Sequence, residues 1–370
     1  MKFFNLHSEN IFCRLSVDFV TETRINKILF LVFISLIGLA CKNEADKELT
    51  IQKIIIYPFN SSIRALEVVN DSTVWFAGSG GIYGYTENNG DSWNIDSIKT
   101  GNIVPHFRSI AVTNKAVFLL SIASPALLYK SNDKGKNWEI VFRDNDSTAF
   151  YDALVFWNDK EGIAMGDPTV GCLSVIKTID GGNTWQKIHC SKLPKTYKGE
   201  AAFAASNSNI ALYGSNLWIV TGGKKARVFH SADKGNNWEV FDTPIIQGGQ
   251  MTGIYSVDFY DDKTGIIFGG DWNNKEQNTK NKAVTNDGGK TWKLIGGNKS
   301  PGYRSCVRYV PATEGKQIIA VGTPGISFSK DGGKNWQNIS NENFYTIRFG
   351  SSFKSAWLAG NKKIGKIIWE

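Results

Sequence analysis

Short apolar runs, each ending in a small residue, recur along the chain. They read TVWFAG at 73–78, AVFLLS at 116–121, GIAMG at 162–166, LWIVTG at 217–222, GIIFG at 265–269, IIAVG at 318–322 and AWLAG at 356–360. Five or six residues are too few for a helix, and the β-branched and aromatic content suits strands buried on both faces. Seven runs predict seven like units, with each run as the second strand of its unit. The last unit, 344–369, ends before a polar box like those of the other units appears, while the run LTIQKIIIYPF at 49–59 stands unassigned ahead of the first unit. The pattern therefore predicts that 49–59 becomes the outer strand of the last unit. Closure of that kind removes an exposed ladder edge.

Between the runs one polar box returns six times: TENNGDSW at 86–93, SNDKGKNW at 131–138, TIDGGNTW at 178–185, SADKGNNW at 231–238, TNDGGKTW at 285–292 and SKDGGKNW at 329–336. Its tryptophans are spaced by 45, 47, 53, 54 and 44 residues, a period that marks a propeller, solenoid or array. The spacing within the box has a physical reading. Ser or Thr ends a strand, and the Asp two residues on (Asn88 in the first copy) folds its side chain onto backbone N–H groups. The Gly takes the positive φ of a tight hairpin, and the Trp opens the next strand and buries its ring under the turn.

These boxes resemble the Asp-box (BNR) repeat of sialidases and of the photosystem II stability/assembly factor-like propellers, over nearly all of the chain after about residue 48. With the seven runs, the resemblance implies an all-β, seven-bladed β-propeller in which the box is structural and peripheral. Similarity to the assembly factor-like group implies a non-enzymatic role in protein assembly or stability. Similarity to sialidases implies instead an Arg cluster for a carboxylate, a Tyr nucleophile activated by an acid, and a separate acid/base Asp. Sialidases carry Arg-Ile-Pro early in the propeller, whereas Arg64 is followed here by Ala65 and Leu66.

The N-terminus departs from this repeat. The thirteen-residue apolar run at 28–40 follows Arg24 and Lys27 and ends at Cys41. It is short for a membrane span and fits the apolar core of a secretory signal. Gly38-Leu39-Ala40-Cys41 resembles a bacterial lipobox, which implies a lipid on Cys41; a plain signal peptide is the alternative. The expected plan is a leader at 1–41, a polar tether at 42–48 and the propeller at 49–370. The expected location is the cell envelope, with the protein exported and anchored in a membrane by its lipid.

Charge and cysteines narrow the partners. Without 1–41 there are 38 Lys and Arg against 31 Asp and Glu, and the lysines are scattered through turns. No basic run with interleaved aromatics appears, so nucleic acid is not an expected partner. A protein or an acidic glycan or peptide is, with the chain a monomer. Cys172 and Cys190 flank the third box almost symmetrically, so a disulfide across that hairpin is possible, with two free thiols the alternative. No metal and no cofactor are expected: the boxes lack the EF-hand pattern, and no H-E-x-x-H, zinc-spaced cysteine pair or C-x-x-C-H is present. In GSGGIYG at 78–84, Tyr83 replaces the third glycine of a dinucleotide loop.

Candidate chemistry falls on the face where inner strands begin. Seven aligned starts carry Arg64, Arg108, Asp152, Glu200, Tyr255, Arg304 and Tyr345, and loops on the same face add Asp167, Arg227 and Asp271. The expectation is a ligand-binding ring with a cationic arc (Arg64, Arg108, Arg304, joined by Tyr345) facing an acidic one. A hydrated channel with paired charges is the plainer alternative. In the sialidase reading Glu200, Tyr255 and Asp152 would be catalytic. The fourth and fifth repeats are the long ones, with extra residues at 196–200 and 273–282.

Overall fold

The computed structural model describes residues 51–351 and 355–369. The leader, Cys41 and the tether lie outside the described residues. Each apolar run forms a buried strand or most of one: Val74–Gly78, Val117–Ser121, Gly162–Pro168, Asn216–Val220, Gly265–Asp271, Ile318–Gly322 and the start of Ser355–Trp369. Burial on both faces follows from stacking. The core is a series of layers between neighbouring sheets, as where Phe118 stacks on Phe156 at 4.6 Å and Trp218 on Phe259 at 3.6 Å. The innermost strands touch in cyclic order: Ile51–Val68, Phe107–Val112, Tyr151–Phe156, Ile210–Tyr213, Thr252–Phe259, Cys306–Tyr309, Thr346–Phe349, and back to Ile51–Val68.

The ladders assemble into six sheets, and the expected count of seven blades is corrected to six. The cause is one long strand. Ile51–Val68 stays extended over 18 residues and pairs with two different neighbours. Its first part lies against Ser355–Trp369, from Ile51 opposite Trp369 to Ser62 opposite Asn361. Its last part pairs with Val74–Gly78, from Ile63 opposite Gly78 to Val68 opposite Val74. The segment expected as a separate last blade is thereby fused with the first unit in one six-stranded sheet. A second six-stranded sheet arises where Glu200–Ala201 and Gly222–Gly223 join Thr252–Phe259.

All six boxes fold alike. The Ser or Thr hydroxyl donates to the Asp carboxylate, or to the Asn88 amide oxygen, at 2.7–2.9 Å. It also accepts the glycine N–H at 2.7–3.0 Å. The N–H four residues beyond the Asp or Asn donates back to that same side chain at 2.8–3.0 Å. Gly289 sits at φ +89° and could not take a side chain without strain. The bonds from Asn137 hold Asp133 down at about 2. One expectation needs amending: only Trp185 of the six box indoles is buried, and the others are half-buried. Several wedge against a ring of another sheet, as Trp138 does on Tyr83 at 5.0 Å and Trp336 on Phe268 at 5.6 Å. Cys172 and Cys190 are joined in a disulfide, with Cα atoms 5.7 Å apart.

Candidate functional site

The inner edge of each sheet turns backbone N–H and C=O groups toward the axis, where they need partners. Here the chain supplies them itself. Residues 204–209, Ala-Ala-Ser-Asn-Ser-Asn, form no strand, are buried throughout and plug the channel. The Asn207 amide nitrogen donates to Ile110 O at 3.0 Å and Leu154 O at 3.4 Å, and its oxygen accepts Leu154 N–H at 2.9 Å. Ser206 Oγ donates to Ser305 O at 2.7 Å, and Ser208 Oγ to Ser256 Oγ at 2.8 Å. Thr346 Oγ1 donates to Ser206 O at 3.0 Å. Small side chains let this segment pass through the narrow bore.

The plug separates the two ends of the channel, termed the upper and the lower cup. On the upper one, where inner strands begin, the guanidinium of Arg64 lies 3.7 Å over the Tyr345 ring and donates to Ala205 O at 3.3 Å. Arg108 donates to Ala204 O at 3.1 Å. Burial, with Arg64 close by, lowers Arg108 to about 10. Next to it lies Asp152, fully buried, with neither carboxylate oxygen hydrogen-bonded. Burial pushes its pKa well up, Asp167 adds to this and Arg108 opposes it. Burial also raises Asp167 to about 6, against the Ala202 N–H bond at 2.7 Å. Arg64, Arg108 and Tyr345 thus adjoin Asp152 and Asp167, where the sequence predicts a cationic arc facing the acidic one across the ring.

The other candidates are placed elsewhere. Glu200 does not open an inner strand; that strand is Ile210–Tyr213, after the plug. Its carboxylate is buried on Arg227 at 2.6 and 3.0 Å, and also accepts from Thr221 Oγ1 at 2.6 Å and Tyr197 N–H at 2.9 Å. Tyr255 is buried, stacks on Phe203 at 4.0 Å and donates its hydroxyl to Met251 O at 2.8 Å. Burial raises its pKa. The Tyr303 and Asp271 charges add to that rise, and the phenol's own hydrogen bond goes to a backbone carbonyl. Asp271 caps its own loop by accepting Asn273 N–H at 2.8 Å. Arg304 leaves the cationic arc: its side chain turns outward to Ser327 Oγ, 2.8 Å away.

A lower cup of about 300 Å³ went unnoticed in the sequence. Its charged wall holds Glu67, Asp258, Arg308 and Arg348, and Val112, Phe156 and Leu212 make an apolar wall. Arg308 pairs with Asp258 at 2.7 Å, while Arg348 donates to Ser206 O and Asn207 O at 3.1 and 2.9 Å. Both cups therefore hold the plug by arginine. The signal for the plug was the extra length of the fourth repeat together with six small or polar residues lacking alternation.

No protein-family model and no curated protein matches the chain. Solved structures do. "YCF48 bound to D1 peptide" is 15% identical with a TM-score of 0.63, over 86% of this chain and 97% of that one. "YCF48 from Cyanidioschyzon merolae" is 15% identical with a TM-score of 0.60, over 86% and 98%. The WD40 repeats of RRP9 are 12% identical with a TM-score of 0.61, over 87% and 100%. The chain is a β-propeller. At these identities the likeness concerns the fold alone, and the propeller's chemistry rests on its own residues.

Proposed function

We propose that this propeller is a non-enzymatic binding protein that holds an acidic peptide segment of a protein partner in its upper cup, in the manner of an assembly factor. The observation that carries the reading is the plug. It gives the cup a floor, fixes Arg64 and Arg108 on backbone carbonyls, and leaves their remaining donors for a carboxylate-bearing chain. A propeller of the same fold has been solved with a peptide bound. No observation favours the glycosidase alternative, since Glu200 is spent on Arg227 and Tyr255 on Met251.

The test is fluorescence anisotropy with a labelled Asp/Glu-rich peptide. Arg64→Ala and Arg108→Ala are each expected to weaken binding by about 1.5–3 kcal/mol, the range for hydrogen bonds to charged groups. Each variant also frees a plug carbonyl, so the melting temperature should fall, and affinity is read at a temperature where both variants remain folded. Equal affinity in wild type and both variants refutes the reading, as does turnover of a sialoside.

The same reading makes the protein exported, held at the cell envelope by lipid on Cys41 and spaced by residues 42–48. Its support is the apolar run at 28–40 ending at that cysteine. Cys41→Ala is expected to move the protein from the detergent phase to the aqueous phase on cloud-point partition. Unchanged partition leaves an ordinary signal peptide.

A further inference from the structure

Arg304 stands just before the inner strand Cys306–Tyr309, and its side chain is 4% exposed. It lines a pocket of about 220 Å³, distinct from both cups, whose polar wall includes Ser300, Ser327, Gln337, Asn338 and Asn341. The guanidinium donates to Tyr303 O and to Ser327 Oγ, both at 2.8 Å, and its Nε has no acceptor. Among the described residues no carboxylate forms an ion pair with it. Arg227 and Arg308 are treated differently: each is paired, on Glu200 at 2.6 Å and on Asp258 at 2.7 Å.

A second buried cation lies close by. Lys282, 1% exposed, donates to Asn281 Oδ1 and Lys299 O at 3.0 Å and to Pro301 O at 3.4 Å. Burial lowers it to about 8, and Arg304 adds to the effect. Burial likewise brings Arg304 down to about 10, opposed by Glu276. That glutamate is exposed, lines the pocket and belongs to the polar insertion at 273–282. Two buried cations without a bonded anion are costly to hold, and an anion entering the pocket would offset the cost.

We propose that this pocket is a carboxylate-binding site, sized for a glutamate side chain or a small dicarboxylic acid. The planar guanidinium offers parallel N–H donors to both carboxylate oxygens. Ser300, Asn338 and Asn341 supply further polar groups, and Glu276 at the wall acts as the chain's own competitor.

Calorimetric titration at low ionic strength tests it, with glutarate, N-acetyl-glutamate amide and inorganic phosphate as separate probes. Glutarate is expected to bind wild type. Arg304→Lys, which keeps the charge and loses the fork, should bind it at least tenfold more weakly. Glu276→Gln, an exposed change that leaves the core alone, should bind it severalfold more tightly. Arg64→Ala should not alter it, which keeps the pocket separate from the upper cup. Binding of the blocked glutamate as well as glutarate assigns the pocket to a partner's side chain, and binding of glutarate alone assigns it to a free acid. The proposal fails if neither wild type nor Glu276→Gln binds a carboxylate. It also fails if Arg304→Lys binds normally, if Arg64→Ala abolishes binding, or if phosphate binds and carboxylates do not.

Discussion

Truncation that removes residues 51–60 is expected to abolish cooperative melting and to drive the protein into aggregates. The lost segment supplies the pairing that runs from Ile51 opposite Trp369 to Pro58 opposite Lys363. Its aromatic rings form part of an inter-sheet layer: Tyr57 lies 5.8 Å from both Trp93 and Trp357, and Phe59 lies 4.8 Å from Phe76 and 5.4 Å from Trp93. Both rings are half-buried, so each costs less than the roughly 3–5 kcal/mol of a fully buried aromatic. Together with the lost ladder they still consume much of the roughly 5–15 kcal/mol margin of a typical domain. The exposed edge of Ser355–Trp369 would then template association between molecules. Differential scanning calorimetry and light scattering check this. A sharp transition at the wild-type temperature would refute closure by that strand.

Asn207→Ala is the second large effect. The amide satisfies two carbonyls and one N–H on two different inner strands, at Ile110 and Leu154, both fully buried. Each buried polar group left without a partner costs about 1–3 kcal/mol. Asn207 also sits at φ +53°, a left-handed conformation that Asn tolerates better than most residues. A loss of about 2–4 kcal/mol follows, read as a shifted urea midpoint at unchanged slope. Asn207→Asp should lose less of the Leu154 N–H contact but bury a charge, so it is not a rescue. A midpoint within error of wild type would mean that the plug does not bind the sheets together.

Strands, boxes and the closing segment were legible because each is written locally, in five to eleven residues whose pattern admits one use. The sheet count was not. Whether 344–369 stands alone or shares a sheet depends on Ile51–Val68 remaining extended past Phe59, which no periodicity records. The plug was illegible for a related reason. Its six residues have no pattern of their own, and they are placed by groups far away in sequence, such as Arg108 and Arg348. Aligning strand starts put Arg64 and Arg108 at like positions, and both side chains reach the plug, which the alignment did not foresee. Arg304 shares their position in the alignment, but its backbone is not yet strand, and its side chain follows Ser327 outward. A position in an alignment fixes where a residue is attached and leaves its rotamer open.

The plug also bears on the order in which the ring assembles. A bore filled by its own chain cannot be loaded once the ring is shut, so residues 204–209 must be in place first. They sit midway along the propeller's sequence: Ala205 meets Arg64 141 residues back, and Ser206 meets Thr346 140 residues ahead. Joining the two ends in one step means closing a loop of roughly 300 residues, at about 5 kcal/mol of chain entropy. With a central hub, each half docks on the plug through a loop of about half that length, and its contacts offset the entropy before the next step is taken. Ile51 then meets Trp369 as two ends already held near a common axis.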